Sequence, residues 1–173
     1  TMHYDLADQD NLANWLSYIE SIHLKDIDLE LSRVTQVAKN HEIRKVAKKT
    51  IVVAGTNGKG SCIAVMESIL NHSRYKVGTY TSPHILRFSE RIKLNGNQVE
   101  DYAICEAFSA VQNARGDIQL TYFEFATLAA FFIFAQMELD FALLEVGLGG
   151  RLDAVNIVDA DVAIITSIDL DHQ

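Results

Sequence analysis

Gly55-Thr56-Asn57-Gly58-Lys59-Gly60-Ser61 follows the apolar run Ile51-Val52-Val53-Ala54 and precedes a helical pattern. A strand that breaks into glycines, a lysine and a hydroxyl before a helix is built to hold phosphate. The N–H groups of such a turn converge, the helix N-terminus adds positive potential, and Lys59 supplies a point charge. The spacing departs from the common G-x-x-x-x-G-K-[ST] pattern. Only Thr56 and Asn57 separate Gly55 from Gly58-Lys59, and Ser61 comes one position late, after Gly60. Gly55 to Ser61 are thus the candidate nucleotide-binding residues, of an unusual branch of phosphate loop.

A bound nucleotide calls for a divalent cation. Mg²⁺ takes oxygen ligands and shares itself with phosphates, so hydroxyls and a carboxylate suit it. Ser61, Ser82 in Thr81-Ser82-Pro83-His84, Glu145 in Phe141-Ala142-Leu143-Leu144-Glu145-Val146, and His172 in Asp169-Leu170-Asp171-His172 all fall at predicted strand ends. A carboxylate closing a buried apolar strand is costly unless something positive neutralises it. Metal ligation or an ion pair with Arg151 would each do so for Glu145. Asp169 and Asp171 compete with His172 for a metal role, and His84 alone reads as a loop histidine. Gly147, Gly149 and Gly150 do not make G-x-G-x-x-G; they read as a loop whose backbone passes close to ligand or metal.

The elements that must position these groups alternate. Leu12, Trp15, Leu16, Ile19 and Ile22 repeat at helical spacing from about Asp10, and Leu31, Val34, Val37 and Ala38 share one face of a second helix. The connector between them carries His23, Lys25, Asp26 and Asp28 without glycine or proline, and its composition suits a plain loop. A helix from Ser61 to about Asn71 would turn Ile63, Met66, Ile69 and Leu70 inward. Strands are predicted at Ile51–Ala54, Lys76–Tyr80, Phe141–Val146 and Asp161–Ile168. Asn95-Gly96, flanked by Arg91–Leu94 and Gln98-Val99, signals a β-hairpin near residues 91–99. A helix begins at Asp101, and Thr121-Tyr122-Phe123-Glu124 has capping-box spacing ahead of a helix apolar nearly all round. The expected fold class is α/β, a mostly parallel sheet flanked by helices on both faces. Open sheets of this kind bind ligands at the carboxyl ends of their strands.

Composition narrows the partners. The chain has 173 residues, 49% hydrophobic and 22% charged, enough for one domain with a real core. A net charge of −8 argues against nucleic acid as partner. Cys62 and Cys105 have no metal or redox spacing and suit a reducing compartment. Phe125–Met137, the most apolar segment, is too short to span a bilayer. Met2 is followed by polar and acidic residues rather than a signal-peptide pattern, so the cytoplasm is expected.

Taken together, these stretches carry a resemblance. Gly55-Thr56-Asn57-Gly58-Lys59-Gly60-Ser61 resembles the phosphate loop of the Mur ligase superfamily. The GKGS ending, Thr81-Ser82-Pro83-His84 and Leu144-Glu145-Val146-Gly147-Leu148-Gly149-Gly150-Arg151-Leu152-Asp153-Ala154 together resemble the folylpolyglutamate synthase family. Ser21-Ile22-His23, Ile27-Asp28-Leu29 and Thr121-Tyr122-Phe123-Glu124 are similar to its bacterial bifunctional branch, the dihydrofolate synthase/folylpolyglutamate synthases. The likeness runs from about residue 15 to 173, and several motifs in the right order make it specific.

The resemblance implies the P-loop type central domain of a Mur ligase and an ATP-dependent acid–amino-acid ligase. ATP would phosphorylate a carboxylate of dihydropteroate or of a folate, and the amino group of L-glutamate would attack the acyl phosphate. ATP and Mg²⁺ are the implied cofactors, with Lys59 and Glu145 as the catalytic pair. Ser61, Ser82, Glu145 and His172 match magnesium-ligand positions, two ions being plausible. Thr121, Phe123 and Asp153 match positions where the pterin of dihydropteroate binds, and the Ile27–Val34 segment, with Ile27 and Asp28, would form a loop over it, which promotes the odd connector to a substrate loop. Family members are much longer. Residues 1–173 would be the N-terminal ATP-binding domain, with the C-terminal glutamate-ligase domain absent, and such a fragment should lack turnover and bind ATP weakly. The full-length protein is expected to be a monomer. Rival readings are another Mur-type ligase acting on a cell-wall nucleotide precursor, and a nucleotide-binding switch without ligase chemistry.

Overall fold

The computed structural model describes residues 11–22, 31–43, 45–147 and 153–169. Helices α1 (Leu12–Ile22) and α2 (Leu31–Asn40) come first, then strand β1 (Lys49–Ala54) and helix α3 (Lys59–His72). Strand β2 (Val77–Tyr80) is followed by the short hairpin strands β3 (Ile92–Leu94) and β4 (Asn97–Gln98). Helices α4 (Asp101–Arg115) and α5 (Tyr122–Ala135), strand β5 (Phe141–Glu145) and strand β6 (Val162–Ile165) complete the order. The strands form one sheet in the order β4-β3-β2-β5-β1-β6. The pairs β2–β5, β5–β1 and β1–β6 are parallel, and the β2–β3 and β3–β4 pairs are antiparallel.

Local chemistry accounts for the elements. Asn95 and Gly96 both take positive φ, 51° and 82°, as the two-residue turn between β3 and β4 demands. At the start of α5 the Thr121 hydroxyl accepts from Glu124 N at 3.1 Å. The Glu124 carboxylate accepts from Thr121 N at 2.8 Å, which closes the capping box. Arg33 of α2 reaches the same carboxylate at 3.3 Å, an ion pair at the edge of the core.

Helices lie on both faces of the sheet, unequally. One face packs Val52, Tyr80, Ala142 and Leu144 under α1, α2, α4 and α5, and Phe108, Phe125, Phe131 and Phe134 are fully buried there. Among the described residues, the other face packs Val53, Val77 and Leu143 under α3 alone, through Ile63 with Cys62, Met66 and Leu70. One helix on a sheet needs only a narrow apolar stripe, and here the sequence reading needs correction: Ile69 points outward and is 60% exposed. Helix α3 also begins earlier than the hydrophobic pattern suggested, at Lys59. Strand β6 is shorter than its apolar run, because from Thr166 onward the chain turns to bond the Gly-rich loop.

Candidate active site

The Gly-rich loop leaves β1 between two neighbours that define its shape. Gly55 has φ 135°, and a Cβ there would lie 2.0 Å from the Thr166 hydroxyl oxygen. That hydroxyl donates to Asn57 O at 2.6 Å, and Thr56 N donates to Ser167 O at 2.8 Å. Asn57 also donates to the Asp169 carboxylate at 3.4 Å. Gly58 takes the left-handed conformation (φ 80°) as N-cap of α3, so the chain passes straight into the helix and leaves the first helical N–H groups without a side-chain cap. Thr56, Asn57 and Gly58 are exposed, and half-buried Lys59 folds back to donate to Gly55 O. The loop thus ends on helical N–H groups without a side-chain cap, an arrangement that could receive an anion, and its ammonium group rests on a loop carbonyl.

Beside the cradle, β2 and β5 are neighbours in the sheet, which puts Ser82 next to Glu145. Ser82 N donates to Glu145 Oε2 at 2.9 Å. Burial pushes the Glu145 carboxyl above the ordinary carboxylate range, against the opposing pull of the Ser82 amide and of the Lys59 charge. Gly60, Ile63, Ala64, Glu67, Thr79, Thr81, Ser82, Pro83, Lys93 and Glu145 line one cavity of about 230 Å³. Its donor set fits a hard cation. A buried carboxylate with a raised pKa gains from a positive partner, and the hydroxyls of Thr81 and Ser82 add oxygen. Among the described residues no three His, Cys, Asp or Glu side chains converge, so other ligands would have to come from hydroxyls, phosphate or water.

The structure brings some predicted residues together and separates others. Lys59, Ser82 and Glu145 converge. Ser61 lies exposed in the first turn of α3, next to Gly60 but not among the residues lining the cavity. Phe123 and Asp153 meet across Gly147, where a Cβ would lie 2.8 Å from Asp153 Oδ2 and 3.0 Å from Phe123 Cζ. Asp153 is buried, and its two oxygens accept from Gly147 N at 2.7 Å and Val155 N at 2.9 Å, so it ties the end of β5 to the residues from Ala154 on. Thr121 caps α5, with its hydroxyl turned to the Glu124 amide. Ile27, Asp28 and His172 lie outside the described residues, as do Arg151 and Asp171.

Glu67, Thr79 and Lys93 were missed by the sequence reading. Glu67 accepts from the Thr79 hydroxyl at 3.1 Å. Its signal was its spacing of seven residues from Gly60, two helical turns along one face of α3. The other two needed knowledge of which strands pair. His84 is more than a loop histidine: buried Arg91 donates to His84 Nδ1 at 2.8 Å and stacks near Phe88 and Tyr122.

No family model matches the chain. Among curated proteins it is 54% identical over 161 residues to the dihydrofolate synthase/folylpolyglutamate synthase of Escherichia coli, covering 93% of this chain and 38% of the relative. It is 47% identical over 161 residues to that of Haemophilus influenzae, covering 93% and 37%. Solved structures agree. Escherichia coli FolC in complex with DHPP and ADP matches with TM-score 0.90 at 54% identity, over 93% of this chain and 39% of that one. The Yersinia pestis bifunctional enzyme complexed with AMPPNP and Mn ion matches with TM-score 0.91 at 51% identity, over 94% and 40%. The chain thus spans about two fifths of the length of these relatives. With this identity, this fold and the Gly-rich loop beside Ser82 and Glu145, the chain belongs to the dihydrofolate synthase/folylpolyglutamate synthase family.

Proposed function

We propose that this chain is the ATP-binding part of a ligase that joins L-glutamate to dihydropteroate and to folates. The observation that carries the reading is the convergence of the Lys59 loop, Ser82 and Glu145 at the carboxyl ends of neighbouring strands. Relatives solved with ADP and DHPP, with AMPPNP and Mn, and with L-glutamate support it. A carboxylate is a poor electrophile until one of its oxygens becomes a leaving group. Its attack on the γ-phosphorus of ATP yields an acyl phosphate and ADP. The glutamate amine then attacks the acyl carbon, and inorganic phosphate departs.

The residues have distinct tasks in this reading. The Gly55–Ser61 loop, at the N-terminus of α3, binds the phosphate chain, with the Thr56 amide held by Ser167 O and so shaping the loop instead. Lys59 leaves the Gly55 carbonyl and follows the charge on the transferred phosphoryl group. Glu145 and Ser82, with Ser61 and His172, would hold magnesium. When bound, that ion screens phosphate oxygens so that an anionic carboxylate can approach. Thr121, Phe123 and Asp153, with Ile27 and Asp28, form the pterin site. Residues 1–173 act as the ATP-binding domain, and glutamate is bound with the help of a further domain outside this chain. At full length the enzyme would be a cytoplasmic monomer without a nucleic-acid or membrane partner.

The direct test is Lys59→Ala in the full-length protein. Removing a group aimed at developing charge should lower the glutamate ligation rate by about a hundredfold or more. Unchanged ligation would refute the loop's role. The 173-residue chain by itself should show no glutamate addition and only weak ATP binding; turnover by it would overturn the need for a further domain.

A further inference from the structure

The cavity beside the Gly-rich loop holds a cation to which the proposed function gives no task. Lys93 of β3 stands opposite Thr79 of β2 in an antiparallel pair, and residues opposite one another share a face of the sheet. That face is the one under α3, where Thr79 meets Glu67. Lys93 is half-buried and lines the same cavity as Gly60, Ser82 and Glu145. Among the described residues its ammonium group makes no hydrogen bond or ion pair. Nor does the neighbouring carboxylate absorb it, since Glu67 is engaged by the Thr79 hydroxyl instead.

The charge balance of the cavity gives this cation a use. Two carboxylates, Glu67 and Glu145, line it, and a phosphoryl group entering beside them is repelled. Lys59, on the loop, is outside this lining, although its charge acts on Glu145. Gly60 of the loop, Ile63, Ala64 and Glu67 of α3, and Lys93 of β3 line the cavity together. A half-buried, uncommitted ammonium in the same lining as Gly60 suits an anionic oxygen that projects past the loop. We propose that Lys93 binds the outermost phosphoryl group of a nucleotide seated on the Gly-rich loop, as a second lysine beside Lys59. This inference rests on the nucleotide reading of the loop. A lysine that only balanced Glu67 would matter for stability and would not distinguish a triphosphate from a diphosphate.

The test titrates this chain, to millimolar concentrations by NMR, with Mg-AMPPNP and with Mg-ADP. Lys93→Met keeps the stem and removes the charge. It should weaken AMPPNP binding by about tenfold, the size of one charge-assisted hydrogen bond, and leave ADP binding within about twofold. Lys93→Arg should restore most of the loss, and Lys59→Ala should weaken both nucleotides. If Lys93→Met does not fold, Lys93→Gln takes its place under the same criterion. Equal affinities for Lys93→Met and the unaltered chain would overturn the inference while leaving the loop reading intact. Equal weakening of both nucleotides would overturn it too, as the mark of a structural lysine. An unaltered chain that binds neither nucleotide would refute the loop reading and this inference together.

Discussion

At the scale of residues, glycines that look alike in sequence have different physical reasons to be there. Gly55 combines φ 135° with a Cβ position 2.0 Å from the Thr166 hydroxyl, so both backbone and space exclude a side chain. Gly60 sits inside α3 with nothing within 4 Å of its Cβ position. Gly55→Ala should therefore cost about 1–3 kcal/mol, the scale of a residue held in a disfavoured backbone region. It should also loosen the loop by expelling Thr166 from its bond to Asn57 O. Gly60→Ala should raise stability by about 0.5–1 kcal/mol, because a helical glycine gives up backbone entropy for no contact. Thermal melts of the two variants check the pair, and nucleotide titration of the second asks whether a phosphate passes close to the Gly60 backbone. A stabilised Gly60→Ala that binds nucleotide poorly would show that the glycine is there for the ligand.

At the scale of elements, the apolar helix α5 holds the layer that carries Phe123 and abuts Tyr80. Leu128 is fully buried in it, and Leu128→Ala should cost about 2–5 kcal/mol, read as a shifted denaturation midpoint. Thr121→Ala should cost about 1 kcal/mol through the lost cap, whereas Thr121→Ser keeps the hydroxyl and should stay near the parent. The same comparison separates capping from any contact with substrate. Elements of this kind were legible in the sequence because their signals are local: the Thr121–Glu124 capping box, the Asn95-Gly96 turn, and the apolar runs of β1 and β5. What local patterns do not carry is the order of strands. That β5 lies between β1 and β2 makes Glu145 a neighbour of both Lys59 and Ser82, and that pairing of β3 with β2 brings Lys93 to the cavity. Both are contacts between segments far apart in the chain, set by the packing of the whole sheet. The buried role of Asp153 was hidden for a different reason: a carboxylate that accepts two backbone amides reads in sequence like any other loop aspartate.

At the scale of the whole molecule, the sheet is fastened at the end opposite the site, and that fastening is ionic. Asp140, just before β5, accepts from Lys76 N at 2.9 Å and from Lys48 Nζ at 2.9 Å, tying the starts of β1, β2 and β5 together. Asp161, just before β6, accepts from Thr50 N at 2.8 Å and pairs with Lys49, which joins β6 to β1. The backbone amides, with the lysines adding to them, hold both carboxyls below the ordinary carboxylate range. Glu90 is held low in the same way by the amides of Ile85, Arg87 and Leu86. A carboxyl whose pKa is lower folded than unfolded binds fewer protons in the native state. Its contribution is complete above the unfolded value and disappears as pH falls through the folded one. Stability of the chain should therefore be level near neutrality and decline once pH drops below about 4, where ordinary carboxylates titrate. Asp140→Asn with Asp161→Asn should lower the urea midpoint at pH 7 and flatten its dependence between pH 5 and 3, because the titrating partners are gone. Parallel curves for parent and double variant would mean that acid acts elsewhere, through the accumulated positive charge, and not on the ties between strands.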